Sequence, residues 1–201
     1  MMFKLSTIVC QPSAVGKVVT FAGEAALQNE ANVKLKGAWT VDIGALCRLV
    51  ELRTLASDDI GDMAPELTKH HPDIRAAVTS VETTLLKAVL PFQPASGAGH
   101  VYEWRRYRAR PGLADEWLKL FVAVMPARER YSARVGLWRT LGGAADEVSQ
   151  LWVYDDLKQR AVVRAQVMQD TAWQALLKVA PEMLSEMHSM ILVPTSYSPL
   201  Q

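Results

Sequence analysis

The chain has 201 residues, half of them hydrophobic and 21% charged, so it carries enough apolar surface for a compact fold and is not a disordered segment. Its 22 basic residues nearly balance 21 acidic ones, so no global positive field implies nucleic acid or an anionic membrane as a partner. No apolar run approaches the roughly 20 residues that span a bilayer, and the first residues do not resemble a secretory signal. We therefore expect a soluble cytoplasmic protein.

The first half of the chain alternates between strand-like and helix-like patterns. Two cysteines, Cys10 and Cys47, fall inside predicted strands and have no His or Cys neighbour at metal-ligand spacing, so we interpret them as small apolar residues. No metal and no cofactor are expected. The predicted elements are a strand over 3–10, a helix over 13–28, strands over 33–43 and 46–56, a helical stretch over 58–80 and a strand over 84–92.

The second half shows the same order with clearer patterns. A strand over 101–108 ends in an Arg-Pro-Gly turn, strands over 134–141 and 147–154 form a hairpin, and a last strand ends at Pro194. Asp155 or Asp156 is placed to cap the helix between the hairpin and that last strand. The two predicted helices have apolar faces made of Leu113, Trp117, Leu120, Phe121 and Val124 in the first and Leu157, Ala161, Ala165 and Met168 in the second.

An internal repeat relates the two halves. Gly37-Ala38-Trp39 aligns with Gly136-Leu137-Trp138 at an offset of 136 − 37 = 99, and the same offset carries Pro12 onto Pro111 and Gly44 onto Gly143. Pro94 to Gly99 has the composition of a flexible linker. We therefore predict one domain over residues 1–94, a linker over 95–100 and a second domain over 101–201.

The order β-α-β-β-α-β in each half is that of the ferredoxin-like unit, a four-stranded antiparallel sheet with both helices on one face. The opposite face carries apolar and aromatic residues that are costly to leave in water, and a second copy can cover it. The sequence therefore predicts an α+β fold. Its two tandem ferredoxin-like units would pack their sheets face to face as a dimeric α/β-barrel.

The second half resembles the NIPSNAP family. The resemblance rests on a Tyr-Glu-x-Arg strand, a Pro-Gly turn, a Gly-x-Trp strand, a Leu-Trp-x-Tyr-Asp segment and later arginine and tryptophan positions, which are residues 102–107, 111–112, 136–140, 151–157, 160–161, 164–165 and 173. The first half keeps the Gly-x-Trp core and the element order, and is similar to the family as a diverged repeat. The resemblance implies a dimeric α/β-barrel fold and no agreed enzymatic activity.

One position departs from the family pattern. Members of the family usually have His directly before the Leu-Trp pair, where this chain has Gln150. Because an amide does not titrate, an imidazole acting as acid, base or metal ligand is absent at this place. His70, His71 and His188 have no ligand pattern around them and are interpreted as surface residues.

The strand from Val101 offers two candidate faces. Glu103, Arg105 and Tyr107 alternate onto one face, where they either orient a small ligand or satisfy each other structurally. Tryptophans of the second half either wall a pocket or fill the core. Arg160 and Arg164 lie one turn apart, and Asp156 is spaced to pair with Arg160. The predicted ligand-binding residues are Tyr102, Arg106, Trp138, Gln150, Trp152 and Arg160, and no catalytic residue is predicted.

Two functions fit this sequence. The first is a NIPSNAP-like protein that binds a small organic molecule or another protein, with a homo-oligomer as one form of association. The second, by analogy of fold, is a cofactor-independent, monooxygenase-like enzyme acting on a small aromatic or other organic substrate. An enclosed pocket of roughly 300 Å³ or more with convergent polar groups would favour the enzyme, whereas a solid barrel with filled helix-to-sheet layers would favour the binding protein.

Overall fold

The computed structural model describes residues 1–28, 33–55, 71–142 and 146–201, which form two compact units. Unit 1 consists of Met1–Lys87 and Met190–Gln201, and unit 2 is Ala88–Ser189. Both units combine antiparallel strands with helices, which confirms the α+β class. Within the described ranges, no helix is long and apolar enough to cross a membrane.

Unit 1 contains a sheet with the order β4-β1-β3-β2, and Ile191 to Pro194 of β8 pair with β2. Its helix α1 covers the sheet through Val18 and Ala22, which pack with Ile8 and Leu49. The elements are β1 (Met2–Cys10), a 3-10 turn (Pro12–Ala14), α1 (Val15–Gln28), β2 (Val33–Ile43), β3 (Arg48–Leu55), α2 (Pro72–Ala77) and β4 (Val78–Leu90).

Unit 2 repeats this arrangement with the strand order β8-β5-β7-β6. Its helices α3 and α5 bury Trp117, Phe121 and Leu176 against Tyr107 and Trp152 of the sheet. The elements are β5 (Val101–Ala109), α3 (Ala114–Arg128), β6 (Arg134–Leu141), β7 (Glu147–Tyr154), α4 (Leu157–Val167), α5 (Thr171–Met183) and β8 (Leu184–Pro194). In both units the fourth strand lies beside the first and the third lies between the first and second, so the predicted ferredoxin-like order is confirmed.

Two predicted boundaries in unit 1 were wrong. The strand predicted from Thr84 begins at Val78, because the β-branched residues Val78 and Val81 pair with β1, where they lie opposite Cys10 and Ile8. The helix predicted over 58–80 is therefore helical at Pro72–Ala77, while residues 56–70, including His70, lie outside the described residues. Cys47 lies in the turn before β3 with φ 58°, outside the strand that was predicted to contain it.

The predicted helix faces of unit 2 need correction. In α3, Trp117 and Phe121 are buried as predicted, but Leu120 is 38% exposed. In α4 the buried residues are Val163 and Val167, and the predicted face is exposed: Leu157, Ala161, Ala165 and Met168. The Asp156 side chain accepts a hydrogen bond from the Gln159 amide and caps α4. Helix α5, which the sequence analysis did not identify, is capped by Asp170.

The repeated Gly-x-Trp motif has a steric basis. The Trp138 ring lies flat over Gly136 on the same strand, so a Cβ added at Gly136 would lie 2.0 Å from Trp138 Cη2. Gly37 and Trp39 repeat the arrangement in unit 1, again with 2.0 Å between the added Cβ and the ring. Both tryptophans are fully buried. The glycine is therefore required by the close approach of the indole to the backbone.

We predict that Gly136→Ala lowers the free energy of unfolding by about 1–3 kcal/mol, because the added methyl group forces the buried indole out of its position. Chemical denaturation measures this change. Gly16→Ala in α1 is the matched control, since nothing lies within 4 Å of a Cβ at that position. Equal stability of the two variants would contradict the steric explanation.

Candidate functional site

The pairing of β5 with β7 gives the two faces of the unit 2 sheet different characters. Glu103 lies opposite Trp152 and Arg105 lies opposite Gln150. Directly opposed residues of an antiparallel pair share a face. Trp152 packs in the cluster that α3 and α5 cover, so this is the helix side of the sheet. The alternate residues of β5 lie on the other face.

Glu103 is the centre of the helix side. Its side chain is fully buried, and its Oε1 accepts hydrogen bonds from Arg105 Nη1 at 2.6 Å, Arg160 Nη2 at 2.7 Å and Ser189 Oγ at 2.6 Å. Tyr154 donates its hydroxyl hydrogen to Oε2 at 3.3 Å. One carboxylate therefore holds together strands β5, β7 and β8 and helix α4.

The hydrogen bonds and charges around Glu103 keep it ionised. Burial by itself would raise the pKa of its carboxyl, but the hydrogen bond from Arg160 and the charge of Arg105 outweigh that effect and lower the pKa from 4.5 to about 2. Arg105 is held in turn by its Nε, which donates to the Tyr107 hydroxyl at 2.7 Å. The predicted row of Glu103, Arg105 and Tyr107 on one face is thus present, with its members bound to each other.

Positive charge exceeds negative charge in this cluster. Arg164 Nη1 lies 3.7 Å from Glu103 Oε1, so three guanidinium groups face one carboxylate and leave an excess of 3 − 1 = +2. Arg105 and Arg160 are mostly buried, with 15% and 25% of their side chains exposed. Arg160 Nε is buried and has no hydrogen-bond partner. Such a site favours an additional anion.

A fourth arginine joins this cluster to an aromatic wall. The Arg128 guanidinium lies 4.0 Å from the Trp152 ring centroid and 5.9 Å from that of Trp173, and its Nη2 donates to the Tyr154 hydroxyl at 3.2 Å. Burial lowers the pKa of Arg128. Its Nη1 also donates to Ser132 Oγ at 2.8 Å, so the guanidinium is held by two ring faces and two hydroxyl oxygens.

In the Gln150 side-chain amide, the oxygen has a hydrogen-bond partner and the nitrogen has none. Its Oε1 accepts a hydrogen bond from Trp152 Nε1 at 3.0 Å, while its Nε2 is buried without a hydrogen-bond partner. Gln150 is 1% exposed, so solvent does not replace that partner. A buried amide N–H₂ without an acceptor is costly. The amide therefore offers a hydrogen bond to an acceptor atom beside Arg105.

The opposite face of the same sheet is aromatic. Trp104 and Trp138 stack with ring centroids 5.2 Å apart, and Phe92 lies 6.5 Å from Trp138. Burial raises the pKa of Tyr102 to about 12, so its phenol is neutral at physiological pH. Arg106 is half-exposed, and its Nε lies 3.4 Å from Glu147 Oε2.

The structure therefore places the predicted site residues in two groups. Gln150, Trp152 and Arg160 lie on the helix side, whereas Tyr102, Arg106 and Trp138 belong to the aromatic face. The predicted ion pair between Asp156 and Arg160 was wrong, because Arg160 binds the buried Glu103. Sequence reasoning did not identify Arg128, Tyr154 and Ser189 as site residues. No spacing rule connects them to Glu103, because their contacts span 26 to 86 positions of the chain.

Within the described ranges, no group of three or more His, Cys, Asp or Glu side chains could hold a metal ion. The fold and the site thus define a protein of α+β units with ferredoxin-like strand order, one of which holds a buried carboxylate in an arginine-rich, tryptophan-walled cluster. A family model described as NIPSNAP matches residues 102–199, which contain this cluster. Residues 102–199 of this chain are a NIPSNAP family domain.

Similar proteins support this assignment. The chain is 32% identical to Protein NipSnap homolog 2 of Homo sapiens over 108 residues, which are 54% of this chain and 37% of that protein. It is 25% identical to Protein NipSnap of Drosophila melanogaster over 214 residues, covering 99% of this chain and 78% of that protein. The chain thus spans just over a third of the length of the human relative.

The fold of nearly the whole chain is also similar to that of a solved structure. The solved structure is that of an anthrone oxidase-like protein, with a TM-score of 0.73 and 15% identity over 96% of this chain and 91% of that chain. At this identity the likeness shows the fold.

We predict that Glu103 makes folding stability depend on acid pH. Its pKa of about 2 lies below the 4.5 expected after unfolding, so its contribution is complete above pH 4.5 and is lost as the pH falls towards 2. The contribution is about 3 kcal/mol, from a shift of roughly 2.5 pKa units.

Denaturation between pH 7 and pH 2 measures this effect in the wild type and in Glu103→Gln. The variant should be less stable at pH 7 and should lose this part of the acid dependence. Glu182→Gln removes an exposed carboxylate and is the control. Parallel pH curves for the wild type and Glu103→Gln would contradict the assignment.

Proposed function

We propose that unit 2 binds a small organic anion, a carboxylate with an aromatic or apolar body, on the helix side of its sheet. The observation that carries the proposal is the convergence of Arg105, Arg160 and Arg164 on a single carboxylate oxygen of Glu103. One carboxylate neutralises one of these three charges. A ligand carboxylate would reduce the remaining repulsion and accept charge-assisted hydrogen bonds.

Two hydrogen-bond donors of the cluster without partners support binding of a ligand that has an acceptor atom. Gln150 Nε2 and Arg160 Nε are both buried and lack hydrogen-bond partners. Arg105 lies directly opposite Gln150 on the neighbouring strand and adds a positively charged donor on the same face of the sheet. A carboxylate placed here would be bound by a neutral amide donor and by guanidinium donors, which gives orientation as well as charge.

The body of the ligand is proposed to lie against tryptophan. Trp152 is buried, and Trp173 is partly exposed at the start of α5. Arg128 stacks over Trp152 and so keeps a cation next to the aromatic wall. Arg164, with 43% of its side chain exposed, lies at the solvent side of the cluster and would meet the ligand first.

We predict that benzoate binds to the protein and that Arg164→Gln weakens this binding about tenfold, because one charge-assisted contact is lost. Isothermal titration calorimetry gives the affinity, and tryptophan fluorescence reports the change near Trp152 and Trp173. Benzamide, which has the same ring without the charge, should bind more weakly.

Arg106→Gln is the matched control because it removes an arginine of similar exposure from the opposite face. Its affinity for benzoate should equal that of the wild type. If Arg106→Gln loses affinity while Arg164→Gln keeps it, the ligand lies on the aromatic face. Absence of benzoate binding at millimolar concentration would overturn the proposal.

A second candidate function is a cofactor-independent oxidation on the aromatic face. The stacked Trp104 and Trp138 favour an aromatic substrate, and the chain shares its fold with an anthrone oxidase-like protein. The reaction to test is anthrone plus O₂ giving anthraquinone plus water. Oxygen uptake that requires both the protein and anthrone, and that is lost in Trp104→Leu, would favour this function. Uptake at the rate of the protein-free solution would exclude it for this substrate.

A further inference from the structure

A short segment that follows β8 is anchored to unit 1. Thr195 donates its backbone N–H to the Ala38 carbonyl at 2.9 Å, and Ala38 donates its own N–H to Ser198 Oγ at 3.0 Å. Both contacts fix residues 195–198 against β2. Tyr197, which lies between them, is thereby turned into the layer between the sheet and α1.

The ring of Tyr197 packs against α1 at Gly23, where the helix has no side chain. It packs against the apolar cluster of unit 1, which includes Ile8, Val18 and Leu49. A Cβ added at Gly23 would lie 3.0 Å from Tyr197 Cδ1, so the ring touches the helix backbone. A glycine inside a helix costs about 1 kcal/mol relative to alanine. Close approach of the ring explains why glycine occupies this position.

The hydroxyl of Tyr197 is hydrogen-bonded to a buried carboxylate. It donates to Glu51 Oε1 at 2.8 Å, while Glu51 Oε2 accepts from Arg53 Nε at 3.1 Å. Glu51 is 3% exposed, so Tyr197 and Arg53 replace water around the carboxylate. Burial and the neighbouring Glu51 raise the pKa of Tyr197, so the phenol remains a protonated donor.

The repeat relates this contact to the candidate site of unit 2. The offset of 99 carries Glu51 onto position 150 and Arg53 onto position 152, since 51 + 99 = 150 and 53 + 99 = 152. The pairing of the strands follows the same offset, because Trp39 lies opposite Val50 and Trp138 lies opposite Ser149. Glu51 and Arg53 therefore stand in unit 1 where Gln150 and Trp152 stand in unit 2.

We infer that the helix side of unit 1 is a binding site for a neutral phenol, and that Tyr197 of the same chain occupies it. The site combines a space beside Gly23 that holds an aromatic ring with the buried carboxylate of Glu51, which accepts the hydroxyl hydrogen. Glu51 repels a carboxylate ligand, whereas Gln150 at the matching position of unit 2 donates to an acceptor. Glu51, which aligns with Gln150 in the repeat, thus favours a phenol that donates its hydroxyl hydrogen. This inference does not depend on anion binding by unit 2.

The inference is tested by replacing Tyr197 with a free phenol. Tyr197→Ala removes the ring, and p-cresol has the structure of the missing side chain. We expect one equivalent of p-cresol to bind to the variant and raise its Tm, and to bind about tenfold more tightly than toluene because toluene cannot donate to Glu51. The wild type should show no such binding at the same concentrations. Equal affinities for p-cresol and toluene would overturn the inference.

The double variant Tyr197→Ala, Glu51→Leu separates recognition of the hydroxyl from filling of the cavity. It should still accept both aromatic compounds but lose most of the preference for p-cresol, since the leucine side chain has no hydrogen-bond acceptor. A preserved preference would assign the hydroxyl to another partner and contradict the inference. Titration with benzoate distinguishes the sites, because benzoate should bind no better to Tyr197→Ala than to the wild type.

A double-mutant cycle serves if Tyr197→Ala does not fold. Tyr197→Phe keeps the ring and removes the hydroxyl, so it should lower the Tm without admitting p-cresol. Combined with Glu51→Leu, its effect should be smaller than the sum of the two separate effects, because each variant by itself breaks the same hydrogen bond. Additive effects would mean that Glu51 does not recognise the phenol.

Discussion

The buried carboxylate of Glu103 constrains the rest of unit 2, because a charge without contact with solvent must be balanced by cations brought from other elements. Arg160 and Arg164 come from one side of α4. Val163 and Val167 lie on the adjoining side of the same helix, so they face the core. The ion pairs thereby set the rotation of α4 and leave Leu157 and Met168 in solvent. In α4 the ion pairs with Glu103 therefore decide which side of the helix is buried, and the side that apolar spacing predicts is exposed.

The two faces of the unit 2 sheet carry different kinds of side chain. The helix side brings together cations, one carboxylate and an amide donor beside tryptophan, whereas the other face holds stacked indoles and a neutral tyrosine. Consecutive side chains along a strand point to opposite faces of the sheet. For this reason Arg105 and Arg106, which are neighbours in sequence, belong to different environments.

The repeat preserves the backbone and varies the charges. Gly-x-Trp is kept in both units because the indole covers a backbone position that admits no side chain. At the matching strand positions, Glu51 and Arg53 in unit 1 stand where Gln150 and Trp152 stand in unit 2. Exchange of a carboxylate for an amide turns an acceptor into a group that also donates. The matching strand positions of the two units therefore carry groups with different hydrogen-bonding capacity.

The sequence by itself determined the order of the strands along the chain, the repeat, the bounds of the strands 33–43, 134–141 and 147–154, and the alternation of Glu103, Arg105 and Tyr107, because these depend on local periodicity and turn residues. Local patterns did not predict the start of β4 at Val78, the rotation of α4 or the existence of α5. Tertiary structure decided the site itself. Glu103 meets Arg160 and Ser189 across 57 and 86 positions of the chain, and no spacing rule encodes contacts that arise when separate strands and helices pack around one charge.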